Sequence, residues 1–263
     1  MTNTQSIFSP KVTIITVVFN AAQEIETTLK SIFEQDYKNK EVIIIDGGST
    51  DGTLEIIRKF EYKIDYFTTE QDYGIYDAMN KGIKVATGKW ILFMNAGDIF
   101  NSNEILKSIF FKKKIDADIL VGSCVVDYKS FTKLVNVKKT SLLKYGMTFC
   151  HQSVFVKTMI YRERYFDLRF KIAADFNFFF WCFITEKKFK IYDFPFSSIS
   201  TEGISDKMRI KVLNEYKKIV REHSKSNMKV ELIYLFKILW TLSKSFIKKL
   251  LPASFTLFIK KYK

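Results

Sequence analysis

Trp90-Ile91-Leu92-Phe93-Met94-Asn95-Ala96-Gly97-Asp98 begins with five large apolar residues, turns small and polar, and closes on a carboxylate. A continuous apolar run ending at a glycine turn reads as a strand buried on both faces, parallel and central in its sheet. In open α/β sheets, ligands sit beyond the carboxyl ends of such strands. Asp98 therefore stands where a carboxylate meets a ligand or a metal. The competing reading is a polar turn that only caps the next element, since Asn and Asp are ordinary turn residues.

Working outward, residues 11–20 are β-branched and apolar and read as a buried strand ending at Phe19-Asn20. Residues 24–35 carry Ile25, Leu29, Ile32 and Phe33 at helical spacing. A strand over 41–45 runs into Asp46-Gly47-Gly48-Ser49-Thr50-Asp51-Gly52-Thr53, a loop that opens a helix over 54–59. A short strand near 64–68, a polar and aromatic loop, and a helix over 75–86 lead to the Trp90 strand. Strand and helix alternating in this way predict a doubly wound α/β sheet. Beyond it the pattern predicts a helix over 105–113 and a strand over 119–128, with 131–137 as its partner. It then gives a buried aromatic helix over 176–184 and a last strand over 189–194.

The chain of 263 residues is 47% hydrophobic, enough for one large domain with an appendage. Its net charge of +14 first suggests nucleic acid, but residues 207–263 hold 15 Lys/Arg against 3 Asp/Glu, while 1–206 hold 27 against 25. A nucleic-acid enzyme carries its basic face on the main domain, so that class is disfavoured. Cys124, Cys150 and Cys182 have no metal-ligand spacing and read as inert thiols of a reducing compartment. The first ten residues lack a signal-peptide pattern, and a cytosolic protein is expected.

Asp46, Asp98 and Asp175 each follow an apolar run, and carboxylates gathered in one crevice suit a divalent cation that bridges to phosphates. Neither a Walker lysine nor Gly-x-Gly-x-x-Gly is present, which removes P-loop and NAD-type readings.

These residues resemble family 2 glycosyltransferases of the GT-A fold. The likeness rests on Thr16-Val17-Val18-Phe19-Asn20, on Ile44 to Thr53 and on Phe93 to Asp98. Asp72-Tyr73-Gly74-Ile75-Tyr76-Asp77-Ala78-Met79-Asn80-Lys81-Gly82, His151-Gln152, Ala173-Ala174-Asp175 and Gly203-Ile204-Ser205 are similar to a bacterial subgroup that includes colanic-acid and other surface-polysaccharide transferases, as for capsule or O-antigen. The motifs fall in family order over about residues 11–205. The resemblance implies a GT-A sheet, mostly parallel with helices on both faces, over 1–206, and a basic helical extension over 207–263. It places Thr16, Asn20, Asp46 (toward the base, usually uracil), Asp72, Asp77, Asn80 and Asn95 along the nucleotide and donor. Asp98 becomes the ligand of Mg²⁺ or Mn²⁺ and Asp175 the general base. His151, by itself more often a structural residue, joins Gln152 in the donor or acceptor pocket. The implied reaction is inverting transfer from a nucleotide-sugar, UDP foremost, to an undecaprenyl-diphosphate-linked saccharide. One departure stands out. Many relatives carry two adjacent acids at the end of the Trp90 strand, whereas here Gly97 precedes a single Asp98, which supports an alternative: a non-catalytic nucleotide-sugar or glycan-binding protein. Phe176, Phe178, Phe179, Phe180 and Trp181 read as core, with sugar stacking as the lesser option.

In the extension, 208–223 reads as a helix with Ile210, Leu213, Ile219 and Val220 for packing. Residues 228–251 are apolar with Lys237, Thr241, Lys244 and Lys248 as a stripe along one face, and 255–262 add Phe255, Phe258, Ile259 and Tyr262. The longest apolar run is far short of the ~20 residues a span needs. The pattern predicts an interfacial helix on anionic lipid at the inner face of the cell membrane, with packing or dimerisation as the competing reading.

Overall fold

The computed structural model describes residues 9–128, 130–200, 208–223 and 228–250, with side chains to residue 243. β1 (Val12–Val18) lies between β2 (Lys40–Asp46) and β4 (Trp90–Phe93), and β3 (Tyr66–Thr69) flanks β2; all three pairings are parallel. Alternation divides these strands between two cores. Ile15, Val17, Ile43, Ile45, Ile91 and Phe93 face one, and Val12, Ile14, Val42, Trp90 and Leu92 face the other. Helix α1 (Ile25–Phe33) and α2 (Thr53–Arg58) meet through Leu29 and Ile57. Helix α3 (Ile75–Val85) packs Met79 and Ile83 on the first core, and α4 (Ile105–Phe110) packs on the second. A sheet covered on both faces demands strands that are apolar at every position, as the Trp90 run is.

Past β4 the sheet becomes mixed. β8 (Val154–Lys157) is inserted antiparallel between β4 and β6 (Ile119–Asp127), and β9 (Phe189–Ser200) follows parallel to β6. β7 (Thr132–Val135) pairs with β6 as expected, and β5 (Ile99–Phe100) pairs with β9. β5 and α5 (Thr158–Glu163) were not anticipated, because elements this short show no periodicity. Helix α6 (Ala174–Ile184) buries Phe176, Phe178, Phe179 and Phe180, which confirms their core role, and Trp181 packs against them.

Cys124 and Cys150 form a disulfide between β6 and the segment entering the His151 turn, correcting the expectation of isolated thiols. Their separation in sequence carries no motif; only the path of β6 brings them together. Cys182 is a buried thiol whose pKa burial pushes up.

The extension packs on the sheet domain. Helix α7 (Arg209–His223) buries Val212, Leu213, Ile219 and Val220, with Val212 taking the place expected for Ile210. Helix α8 (Met228–Leu250) buries Tyr234 and is tied to α7 by the Glu231–Lys217 pair at 2.8 Å and by Arg221. Of the expected basic stripe, Lys237 is the described lysine, and it departs from expectation. The Lys237 ammonium turns inward to the Tyr145 carbonyl, and burial lowers its pKa. The outward face is apolar instead: Leu232, Leu235, Phe236, Leu239 and Trp240 are each about half exposed or more. Gly203-Ile204-Ser205, the side chains of Lys244 and Lys248, and the 255–262 segment lie outside the described residues. Among those described, no helix is long and apolar enough to cross a membrane.

Glu41, buried on β2, joins three chain segments. It accepts from Lys11 Nζ at 2.8 Å, from Thr13 Oγ1 at 2.5 Å, and from the Thr87 N–H at 2.8 Å. Burial pushes its carboxyl up, but these donors outweigh burial and bring it to about 2, below the usual 4.5. A depressed folded value stabilises above the unfolded pKa and is lost as pH falls through the folded one. Glu41→Gln should cost roughly 2–3 kcal/mol at pH 7. The deficit should shrink as pH falls from 4.5 toward about 2, followed by denaturant unfolding.

Candidate active site

The carboxyl ends of β1, β2 and β4 open on one edge of the sheet. After β4, Met94 keeps its N–H on the Ile15 carbonyl at 2.9 Å, and the chain then turns at Gly97, φ +94°, a conformation that favours glycine. The Gly97 N–H donates to Thr28 Oγ1 at 3.0 Å, and Thr28 Oγ1 donates to the Asp98 carbonyl at 2.9 Å. One α1 hydroxyl thus fixes the turn that delivers Asp98. The Asp98 carboxyl is 7% exposed, and its pKa is pushed up to about 7 by burial, opposed by a hydrogen bond from Gln152.

Gln152 belongs to the 3-10 turn His151–Ser153 that leads into β8. Its neighbour His151 presents Nδ1 at 3.7 Å from Asp175 Oδ2. Burial lowers the His151 pKa against the pull of Asp175, so the ring is neutral near pH 7, and its Nε2 is buried with no hydrogen-bond partner. Asp175 lies in the first turn of α6, and Tyr76 Oη stands 2.9 Å from both Asp175 Oδ1 and the Ile172 carbonyl. Burial, with the Asp175 charge beside it, holds the Tyr76 hydroxyl protonated. Its single proton serves one acceptor at a time. Asp98 and Asp175, 77 residues apart in the chain, thereby each lie beside one of two consecutive side chains.

The other expected site residues divide into two groups. Asn20, at φ +47°, gives its N–H to Ser49 Oγ at 2.8 Å and receives the Thr50 N–H at 2.9 Å, lacing the β1 loop to the β2 loop. Asp72 accepts the Gly74 N–H at 2.8 Å, and its other oxygen fills the space beside Gly47, 2.5 Å from where a Cβ would stand. Asp77 accepts the Tyr73 N–H at 3.1 Å and pairs with Lys81. Asn95 keeps a buried Oδ1 without a hydrogen-bond partner. These residues line the loops of the edge.

Three others have their side chains committed to the interior. Asp46 is fully buried and accepts from the Gly48 and Ser49 N–H groups, both at 2.9 Å, from Ser49 Oγ at 2.5 Å and from Thr69 Oγ1 at 2.6 Å. Four donors fill the lone pairs of a carboxylate, so Asp46 builds the loop. Asn80 spends its amide on both backbone groups of Phe166, at 2.9 Å each, clamping α3 to the chain before α6. Thr16 is enclosed within β1, and its Oγ1 has no hydrogen-bond partner. Phe19 (62% exposed) and Tyr73 (83% exposed) were not singled out from sequence, yet present rings at this edge. Nor was Tyr76, whose contact with Asp175 leaves no local signal.

Residues 13–186 match the model of Glycosyl transferase family 2. The chain belongs to that family. A PGL/p-HBAD biosynthesis glycosyltransferase of Mycobacterium bovis is 29% identical over 181 residues, 66% of this chain and 70% of that protein. A cholesterol galactosyltransferase of Borreliella burgdorferi is 30% identical over 137 residues, 51% of this chain and 37% of that one. Among solved structures, the mannosyltransferase PcManGT from Pyrobaculum calidifontis, in complex with GDP-Man and Mn²⁺, superposes with a TM-score of 0.65 at 18% identity, covering 88% of this chain and 70% of that one. TarS from S. aureus in complex with UDP gives 0.63 at 19% identity, covering 87% and 70%. The fold is GT-A, and this glycosyltransferase is an enzyme of family 2.

Among the described residues, no three His, Cys, Asp or Glu side chains gather at metal-binding distance. Asp98 nonetheless fits a divalent cation, since Mg²⁺ is commonly held by one or two carboxylates with substrate phosphates completing the shell. A desolvated carboxyl of raised pKa is also a group that a cation would bring back to its charged form. In the glycosyltransferase without cation, that ionisation costs stability. The folded value of about 7 exceeds the usual 3.8, so the cost grows as pH rises between them and is complete above 7. Asp98→Asn should therefore stabilise the cation-free protein at pH 8 by about 2–4 kcal/mol, with no gain at pH 4. Thermal unfolding in chelator at both pH values measures it.

Proposed function

We propose that this glycosyltransferase moves a sugar from a nucleoside-diphosphate donor, UDP foremost, to a hydroxyl of a lipid-linked saccharide, with inversion and with Mg²⁺ or Mn²⁺, in the building of a bacterial surface polysaccharide. The observation that carries this reading is the placing of Gln152 beside Asp98 and of His151 3.7 Å from Asp175. It puts a carboxylate suited to the diphosphate and a carboxylate suited to a proton at the two ends of one short turn.

Asp98, with Asn95 beside it, would hold the cation, which offsets charge on the departing nucleoside diphosphate. Asp175 accepts the proton of the attacking hydroxyl, help typically worth 10²–10⁴-fold. Tyr76 and neutral His151 hold that carboxylate in place from two sides. Asp72 and the exposed Phe19 and Tyr73 rings suit the donor's base and ribose. For the acceptor, a groove of about 530 Å³ lined by Lys171, Ile172, Met208, Lys211, Asn214 and Glu215 lies beside the chain entering Asp175. Its two lysines suit a diphosphate-linked lipid. The names of relatives and neighbours agree with this chemistry: UDP on TarS, GDP-Man and Mn²⁺ on PcManGT, and a cholesterol galactosyltransferase among relatives.

The apolar outward face of α8, on a segment with a large excess of lysine, suits an anionic bilayer surface. The enzyme would work at the cytoplasmic face of the membrane. Because α8 also buries Tyr234, its removal would open the core, and surface substitution is the cleaner probe. Phe236→Glu with Leu239→Glu should release the protein from phosphatidylglycerol vesicles in sedimentation while leaving its unfolding temperature near that of wild type; unchanged binding would end the membrane reading.

A screen of UDP-, GDP- and dTDP-sugars, with and without Mn²⁺, tests the chemistry. Asp175→Asn should reduce turnover at least 10²-fold while calorimetric UDP binding persists. Full turnover in that variant would remove Asp175 from the mechanism. Tight binding with no turnover of any donor by the wild type would favour the nucleotide-sugar-binding alternative suggested by Gly97.

A further inference from the structure

Helix α6 begins without a cap of its own. Its N-terminal flank is Ala173, whose side chain has no oxygen to accept the free N–H groups there. A residue from the C-terminal extension grips the backbone just before the helix's first turn. Glu215, on α7, accepts the Lys171 N–H on Oε1 at 3.2 Å, and the Ile172 and Ala173 N–H groups on Oε2 at 3.1 and 2.9 Å. Three consecutive amides are gathered on one carboxylate just before Asp175.

Its neighbours on α7 hold the same stretch. The Tyr216 ring lies against Phe176 at 4.0 Å between centroids, and His223 Nε2 lies 3.0 Å from Asn177 Oδ1. From the other side, Tyr76 Oη contacts both the Ile172 carbonyl and the Asp175 carboxylate. The peptide between Ile172 and Ala173 is thus gripped at its N–H by Glu215, while the carbonyl of Ile172 meets Tyr76. Any rotation of this segment moves Asp175 away from Tyr76 and His151.

We propose that Glu215 is a positioning residue for the transfer reaction: the extension reaches back to set the backbone from which Asp175 projects. The inference rests on Asp175 being the base. It makes α7 part of the catalytic unit, not a separable anchor.

Three variants at Glu215 and one at Tyr216 test it, with hydrolysis of UDP-glucose and UDP-GlcNAc at saturating donor and Mn²⁺ as the rate readout and calorimetric UDP binding as the binding readout. Glu215→Ala should lower kcat by roughly 10–100-fold, the scale of a small misplacement, while donor KM and UDP affinity stay within about twofold. Glu215→Gln, which keeps the reach and an accepting oxygen, should retain kcat within about threefold. Glu215→Asp, which keeps the charge but shortens the reach, should fall with Ala. Hydrogen exchange at the Ile172 and Ala173 amides should speed up in Ala and Asp, with α7 still protected. Tyr216→Leu is the packing control, and it should lower the unfolding temperature with a smaller change in kcat than Glu215→Ala.

Wild-type kcat in Glu215→Ala overturns the inference. So does a Gln variant as slow as Ala with Asp active, since charge and not backbone capture would then matter. If Glu215→Ala does not fold, the Gln-against-Asp order decides alone. An inactive Asp175→Asn beside a fully active Glu215→Ala removes this inference only, whereas a fully active Asp175→Asn removes the base assignment beneath it.

Discussion

The organisation of this enzyme depends on one short turn, His151–Ser153, whose first two side chains reach opposite ways. Gln152 lies beside the buried Asp98 carboxyl, and His151 Nδ1 lies 3.7 Å from Asp175. Asp98 rides on a turn with a left-handed glycine, and Asp175 sits at the start of a helix whose flanking alanine has nothing to cap it. The turn is in turn fixed because β8, which it enters, is clamped antiparallel between β4 and β6. The mixed half of the sheet therefore holds the His151–Ser153 turn between two carboxyls that the parallel half and the aromatic helix supply separately.

Such a site is costly to fold. A carboxyl with its pKa raised to about 7 by burial, a His Nε2 and an Asn Oδ1 without partners are groups that an ordinary core avoids. The structure offsets them elsewhere. Glu41 gathers donors from two other segments, and a continuous aromatic packing runs from Phe93 through Tyr161 and Phe166 to Phe178. Functional sites are where local rules are expected to fail, with compensation in the scaffold. Of the six buried side-chain atoms without a partner among the described residues, those of Thr16, Asn95 and His151 belong to residues that the motifs select.

The C-terminal extension acts in two directions. Its inner surface, with Glu215, Tyr216, His223 and Tyr234, is bound into the domain. The outer face of α8 is apolar, and Lys237, expected outside, is folded inward. A helix reads the same on paper whichever way it is rotated about its axis. The decision rests with the partner surface, here the Tyr145 carbonyl and the pocket that receives Tyr234.

Much was legible in the residues alone. The alternation of strands and helices through Asp98, the core role of the Phe176–Phe180 cluster, the family and the placing of Asp98 and Asp175 at element ends follow from local periodicity and ordered motifs. Those signals come from neighbours a few residues apart, whose geometry any helix or strand repeats. Tertiary structure decided what no local pattern encodes: β8 antiparallel beside β4, Cys124 joined to Cys150, Asp46 and Asn80 spent on the interior, Tyr76 set against a residue 99 positions away. Each of these depends on which of many chemically equivalent donors, acceptors and faces the packed chain brings within reach. That selection is made by the whole core at once.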